Sequence, residues 1–263
     1  MLPLLLLLAQ VSVVPMDLTV TQASQTVVLL HGKDRNGDGV LGTGFLVQLP
    51  GGLYLVTAEH VVSGLVADQK VTYGAEGDVV RTVDLRDLSG GKPPAWVLHG
   101  GADVAVLSLA GPPEVMKVLS ARALQPPHLI NKLEAPSRER TLTTLGFPLG
   151  LGGIALGPDG RISPLSRESH AASGLLTLAR FDTKKPSTFF VLDNPSIGGF
   201  SGAPVFMLSG TVVSQGGIGF TPPVSFCMGL VHGTIGDSTG GKMAAVVPVV
   251  FITETLEKAM KQP

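Results

Sequence analysis

The sequence is poor in cysteine, in charge and in aromatic rings. A single cysteine, Cys227, excludes an intrachain disulfide and cannot by itself furnish the paired cysteines of a structural zinc site, so stability must come from a packed core. Charged residues make up only 15% of the 263, with a net charge of -1, which leaves no surplus of Lys and Arg to neutralise a phosphate backbone. Nucleic acid is thereby excluded as a general partner. The one long apolar run, MLPLLLLLAQVSVV at the start, is shorter than a bilayer-spanning helix. What the chain has in quantity is glycine (34) and proline (20), which favours tight turns between short buried segments over long helices.

Residues 1–23 read as an export signal or leader, which places the protein in the periplasm or outside the cell, with no stable membrane association of the mature chain. The segment lacks a basic start, and the small residues nearest a cut, Ala9 and Ala23, match a cleavage site poorly. The alternative is a buried leading strand of a cytoplasmic protein.

From residue 24 onward, short apolar runs alternate with turn residues: TVVLL (26–30), TGFLVQL (43–49), LYLVTA (53–58), AVLSL (105–109), LTTLGF (142–147) and APVFML (203–208). Regular short strands of this kind predict an all-β sandwich or barrel. Pro50-Gly51-Gly52 joins two strands as a hairpin. The proline-rich stretch 111–139 reads as a linker between two β units, 24–110 and 140–250. A C-terminal helix is predicted over 251–263, with Ile252, Leu256, Ala259 and Met260 on one face and Thr253 as its cap.

Three segments carry candidate chemistry. In LVTAEHVV a buried strand runs out at His60, which puts the imidazole on a rim; alone, this is as well explained by a structural histidine. In GGADVAVLSL, Asp103 opens an alternating strand after a Gly-Gly turn, where a turn aspartate is the plain reading. In NPSIGGFSGAPVF, Ser201 stands between Gly199 and Gly202, and flanking glycines let successive backbone N–H groups converge on one concavity suited to an oxyanion. Together they supply a base, an orienting carboxylate and a nucleophile, in the order His, Asp, Ser.

The segments VTAEHV (56–61), DVAVLSL (103–109) and GFSGAP (199–204) resemble the three signature segments of the trypsin-like serine peptidases, and the separations of 43 and 98 residues are similar to that family's. TGFLV before the His strand and LGFPLG at 145–150 add to the likeness, the latter resembling bacterial members without disulfides. The resemblance implies two packed antiparallel six-stranded β-barrels, a short C-terminal helix and a cleft between the barrels. It also implies a serine endopeptidase acting on protein or peptide substrates without a cofactor: Ser201 as nucleophile, His60 as general base and acid, Asp103 as orienting carboxylate, and the N–H groups of Gly199 and Ser201 as oxyanion hole. On this template an asparagine at 103 costs far more rate than fold.

Phe200 occupies the position where zymogen-activated members carry an aspartate, so activation by a freed N-terminal amine is not expected. Pro195, six residues before Ser201, stands where trypsin has the aspartate that attracts Lys or Arg, which argues against tryptic preference. The segment GLVHGTIG is similar to the strand lining the primary specificity pocket and nominates Gly229, Val231, His232 and Gly233 as substrate-binding residues. In the glutamyl-specific branch a histidine there meets an acidic side chain; here the spacing is one residue longer, and a small or medium apolar pocket is the default. Asp34, Asn36 and Asp38 open like a calcium loop but Phe45 stands where the bidentate Glu belongs, and the six histidines show no zinc spacing, so no metal is expected. Two other readings share features of the sequence: a catalytically silent fold serving as a protein-binding module, and an esterase, which should show a Gly-x-Ser-x-Gly elbow that GFSGA lacks.

Overall fold

The computed structural model describes residues 17–153, 160–208, 211–214, 217–220, 224–238 and 240–262. The N-terminal sheet holds β1 (Val27–Lys33), β2 (Gly39–Leu49), β3 (Gly52–Thr57), β4 (Ala67–Gly74), β5 (Val80–Asp84), β6 (Val97–Leu98) and β7 (Ala105–Leu109), in the order β5-β4-β1-β2-β3-β7-β6. The second sheet holds β8 (Leu142–Gly146), β9 (Leu165–Ser169), β10 (Leu176–Ala179), β11 (Pro186–Leu192), β12 (Pro204–Met207), β15 (Phe226–Gly236) and β16 (Lys242–Pro248), in the order β10-β11-β16-β15-β12-β8-β9. A separate hairpin pairs β13 (Thr211–Ser214) with β14 (Gly217–Phe220). The chain is mostly β, as the alternating runs require, but each sheet has seven strands where six were expected, because short edge strands such as β6 carry too few residues to show a pattern.

Hairpin chemistry sets the register. Leu49 pairs with Gly52 around Pro50-Gly51, and Gly52 at φ 142° is a conformation left to glycine. Asp34 Oδ1 accepts from the N–H groups of Asn36 and Asp38, which makes the calcium-like segment an Asx-type turn between β1 and β2. The core is continuous between the sheets: Leu30, Phe45 and Leu55 of the first share one buried cluster with Leu145, Phe206 and Val247 of the second. Cys227 is fully buried in the same cluster.

Among the described residues five α-helices accompany the strands: α1 (Val20–Gln25), α2 (Glu59–Gly64), α3 (Leu85–Leu88), α4 (Pro113–Ser120) and α5 (Val249–Met260). The segment read as a linker contains α4, which starts at Pro113 behind Pro112, since proline is compatible with a first helical turn. The C-terminal helix begins at Val249, directly after β16, with Pro248 rather than Thr253 at its N-cap; the Thr253 hydroxyl instead bonds back to the Val250 carbonyl at 2.8 Å inside the helix. Most of the leader reading lies outside the described residues, Ala9 included. Ala23, the other candidate cut, is buried in the core on α1, so a cut there would remove core surface.

Candidate active site

Strand β3 ends at Thr57, and the chain turns through buried Ala58 into α2, whose second residue is His60. The ring is therefore carried on a helical turn, not on the strand end. Asp103 lies in the tight turn before β7 and is fully buried. That turn is braced by His99, whose Nδ1 accepts from the N–H groups of Gly101 and Ala102 while its Nε2 donates to Glu254 on α5. His99 thus faces the C-terminal helix, not the cleft.

His60 and Asp103 meet twice. The His60 Nδ1–H donates to Asp103 Oδ2 at 2.7 Å, and the His60 backbone N–H donates to Oδ1 at 3.0 Å. The carboxylate receives two further donors. His232 Nδ1 lies 2.5 Å from the same Oδ2, and an Arg180 guanidinium nitrogen lies 3.2 Å from Oδ1. Burial pushes this carboxyl up, but the hydrogen bonds from His232 and His60 outweigh it and hold Asp103 well below the usual carboxylate range. Because His232 Nε2 accepts from the Phe181 N–H at 3.3 Å, its proton sits on Nδ1, facing Asp103. The acceptor and donor atoms of His60, Asp103 and His232 lie within 4.8 Å of one another, a proximity that could hold a cation. Their N···O separations are instead those of hydrogen bonds that already occupy the space between them.

The loop bearing Ser201 is shaped by its glycines. Gly199 has φ 99° and a side chain there would meet the Phe147 carbonyl oxygen at 2.4 Å; Gly202 has φ 82° and would meet the Thr43 carbonyl oxygen at 2.2 Å. Thr43 of β2 ties this loop to the first sheet. Its N–H donates to the Ser201 carbonyl at 2.8 Å, and its hydroxyl donates to the Gly199 carbonyl at 2.7 Å while accepting from the Phe147 N–H at 3.1 Å. The Gly198 carbonyl accepts from the Leu149 N–H at 2.7 Å. Across a trans peptide the N–H points opposite the carbonyl, so the Gly199 N–H faces away from Leu149, and neither it nor the Ser201 N–H is used by a backbone acceptor among the described residues. The Ser201 hydroxyl donates to the His232 carbonyl at 3.4 Å; no hydrogen bond joins it to His60 Nε2.

The residues nominated for substrate binding separate. Pro195 and Val231 line a narrow cavity together with Thr144, Arg167, Ser169 and Phe200, and Arg167 donates to the Pro195 carbonyl at 2.8 Å. Most of the cavity surface is apolar. Gly229 is packed inside the sheet, where a side chain would meet the Val247 carbonyl oxygen at 2.1 Å. The His232 ring does not face this cavity: it is buried, and both its nitrogens are bonded within the protein. Gly233 lies under Phe181, whose ring would be 2.7 Å from an added side chain. Phe181 in turn packs edge-on against His60, with ring centroids 4.8 Å apart. Arg180, Phe181 and Thr43 were not nominated from sequence. Only TGFLV, which holds Thr43, carried a signal.

The profile of the family described as "Trypsin-like peptidase domain" matches residues 42–214, well over half of the chain and spanning His60, Asp103 and Ser201. The chain belongs to the trypsin-like peptidase family. Solved structures agree on the fold. A protease from M. tuberculosis in its active form is 18% identical with a TM-score of 0.52, covering 93% of this chain and 85% of its own. A serine endoprotease from Yersinia pestis is 15% identical with a TM-score of 0.52, covering 93% of this chain and 68% of its own. An inactivated protease paralogue from the scabies mite is 12% identical with a TM-score of 0.54, covering 93% and 99%. No curated protein matches the sequence.

Proposed function

We propose that this trypsin-like peptidase is a serine endopeptidase that cleaves peptide bonds through an acyl-enzyme. Ser201 Oγ attacks the scissile carbonyl. His60 Nε2, whose partner nitrogen is fixed on Asp103, takes the hydroxyl proton and returns it to the leaving amine. The tetrahedral oxyanion is received by the N–H groups of Gly199 and Ser201. The observation that carries the reading is the pair of hydrogen bonds from His60 to Asp103, one from the ring and one from the backbone, of which the ring bond fixes the imidazole tautomer that leaves Nε2 free to act as a base. The Ser201 hydroxyl is bonded to the His232 carbonyl and not to His60, and on this reading substrate draws it to His60 Nε2, since contacts between catalytic groups tighten in the substrate complex. Hydrolysis of unfolded casein by the wild-type chain, abolished in Ser201→Ala and in His60→Ala, is the expected result. Casein left intact by folded wild-type protein refutes it.

One observation favours a second reading, a silent fold that binds protein: the Ser201 hydroxyl points to the His232 carbonyl and not to His60. On that reading Ser201→Ala leaves every measurable property unchanged. The apolar leader supports export, with any cut ahead of Leu18, whose N–H is bonded to Ser225 Oγ at 2.9 Å. The N-terminal mass of secreted protein tests it, and a terminus at or after Ala23 contradicts it.

A further inference from the structure

Arg180 is a buried cation that the chemistry above does not use. It follows β10 in the loop to β11, on the opposite sheet from His60 and Asp103, and only 4% of its side chain is exposed. Every branch of its guanidinium is engaged. Nε and Nη2 grip Asp182 at 3.0 and 2.5 Å, Nη1 reaches Glu59 at 2.8 Å, and Nη2 also reaches Asp103 at 3.2 Å. Glu59 immediately precedes His60 on α2, and Asp103 holds the ring of His60. One side chain thus bridges the two sheets and touches both polypeptide segments that place the imidazole. The loop and the strand after it are fastened at two more points: the Phe181 N–H on His232 Nε2, and the hydroxyl of Ser187, the second residue of β11, on the Gly101 carbonyl at 3.0 Å, two residues before Asp103.

We propose that Arg180 is a positioning residue of this peptidase, a cross-sheet clamp that holds Asp103 and the His60 turn in register and sets the working pH of the pair. The proposal rests on the serine-peptidase reading. Removing water around Arg180 would by itself be unfavourable, and three carboxylates offset that cost. Burial lowers the guanidinium's affinity for its proton, but the bonds to Asp182 and Glu59 raise it further, so the group is always charged. Its fork geometry is what allows simultaneous contact with three acceptors, which a lysine cannot reproduce. The charged and titratable groups around His60 are Glu59 on its own helix, Asp103 before β7, His232 on β15, and Arg180 and Asp182 on the β10–β11 loop. Arg180 is the fixed cation among them. It weakens the pull of Asp103 on a protonated His60, so its loss should favour the imidazolium and move the acid limb of reactivity to higher pH.

The test compares wild type, Arg180→Lys, Arg180→Met and the charge-balanced pair Arg180→Met with Asp182→Asn, the pair being included because the single methionine leaves buried carboxylates unpaired. Two readouts are taken on each folded variant: the rate of fluorophosphonate labelling as a function of pH, and the downfield imidazole N–H resonances by proton NMR. The expected results are labelling slowed at least about tenfold in both methionine variants, an acid limb moved up by about half to one pH unit, and a shifted or exchange-broadened His60 Nδ1–H resonance. Lysine should restore the limb but not the full rate. A role in folding alone would lower stability while leaving the limb and the resonance where they are, and that result overturns the proposal. If wild-type protein takes no label, the peptidase reading fails, and the resonance still decides whether Arg180 holds the pair.

Discussion

Replacing Thr43 by valine keeps the size and branching of the side chain and removes only its hydroxyl. That hydroxyl lies in the buried seam between β2 and the Ser201 loop, donating to the Gly199 carbonyl at 2.7 Å and accepting from the Phe147 N–H at 3.1 Å. Thr43, Phe147 and Gly199 are all buried, so no solvent replaces the lost partner. A buried group left unpaired costs about 1–3 kcal/mol, and two are left here, so Thr43→Val should destabilise by about 2–6 kcal/mol. Thr43→Ser keeps both bonds and deletes one methyl, for about 1 kcal/mol. Urea titrations of the two variants at one pH measure the difference. The same substitution frees the Gly199–Phe200 peptide, which lies between the two peptides carrying the Gly199 and Ser201 N–H groups, and misplacing one of these proposed oxyanion donors lowers rates by about 10²–10³-fold. Labelling by fluorophosphonate should therefore fall in the valine variant and survive in the serine variant. If valine proves as stable as serine and labels as fast, the hydroxyl does not organise this loop and the reasoning is wrong.

Three other outcomes are expected. Gly199→Ala, whose methyl would meet the Phe147 oxygen at 2.4 Å from a backbone at φ 99°, should lose about 1–3 kcal/mol of stability and at least about 10²-fold in labelling rate; an alanine variant with wild-type kinetics contradicts the assigned loop geometry. Asp103→Asn should slow labelling by about 10⁴-fold, and because four donors converge on this carboxylate it should also destabilise the fold by about 3 kcal/mol, so a rate loss with unchanged urea midpoint refutes the second half. Burial pushes the Cys227 thiol from 9.0 up to about 12, so the folded state disfavours the thiolate. The stability this protects is complete below pH 9 and falls by about 1.4 kcal/mol per unit above it; Cys227→Ala should lack that alkaline loss, and parallel pH–stability curves for the two proteins would exclude it.

The strands and the three signature segments were legible because their signals are local. Leu49-Pro-Gly-Gly52 fixes a hairpin whatever it packs against, and Gly199 and Gly202 announce a backbone that only glycine adopts. Arg180 was not legible. In the run LTLARFDTKKP it reads as one charge in a polar loop, and nothing nearby signals partners 77 and 121 residues away. His232 was singled out but given the wrong environment, since sequence places it on the right strand without saying that its ring turns toward Asp103. That crowding also changes the expectation for asparagine at 103, which a simple triad would have left nearly neutral for stability. Thr253 misled for a simpler reason: it is a good cap by composition, but the helix is capped at Pro248, five residues earlier, and starts straight from β16.

The central claim is that Ser201 is an activated nucleophile, and the most direct measurement is mass-spectrometric mapping of the fluorophosphonate adduct on wild type, Ser201→Ala and His60→Ala. The account predicts a single adduct on the peptide containing Ser201, absent from both variants. A folded wild-type chain without adduct, or an adduct that persists in Ser201→Ala, would contradict it.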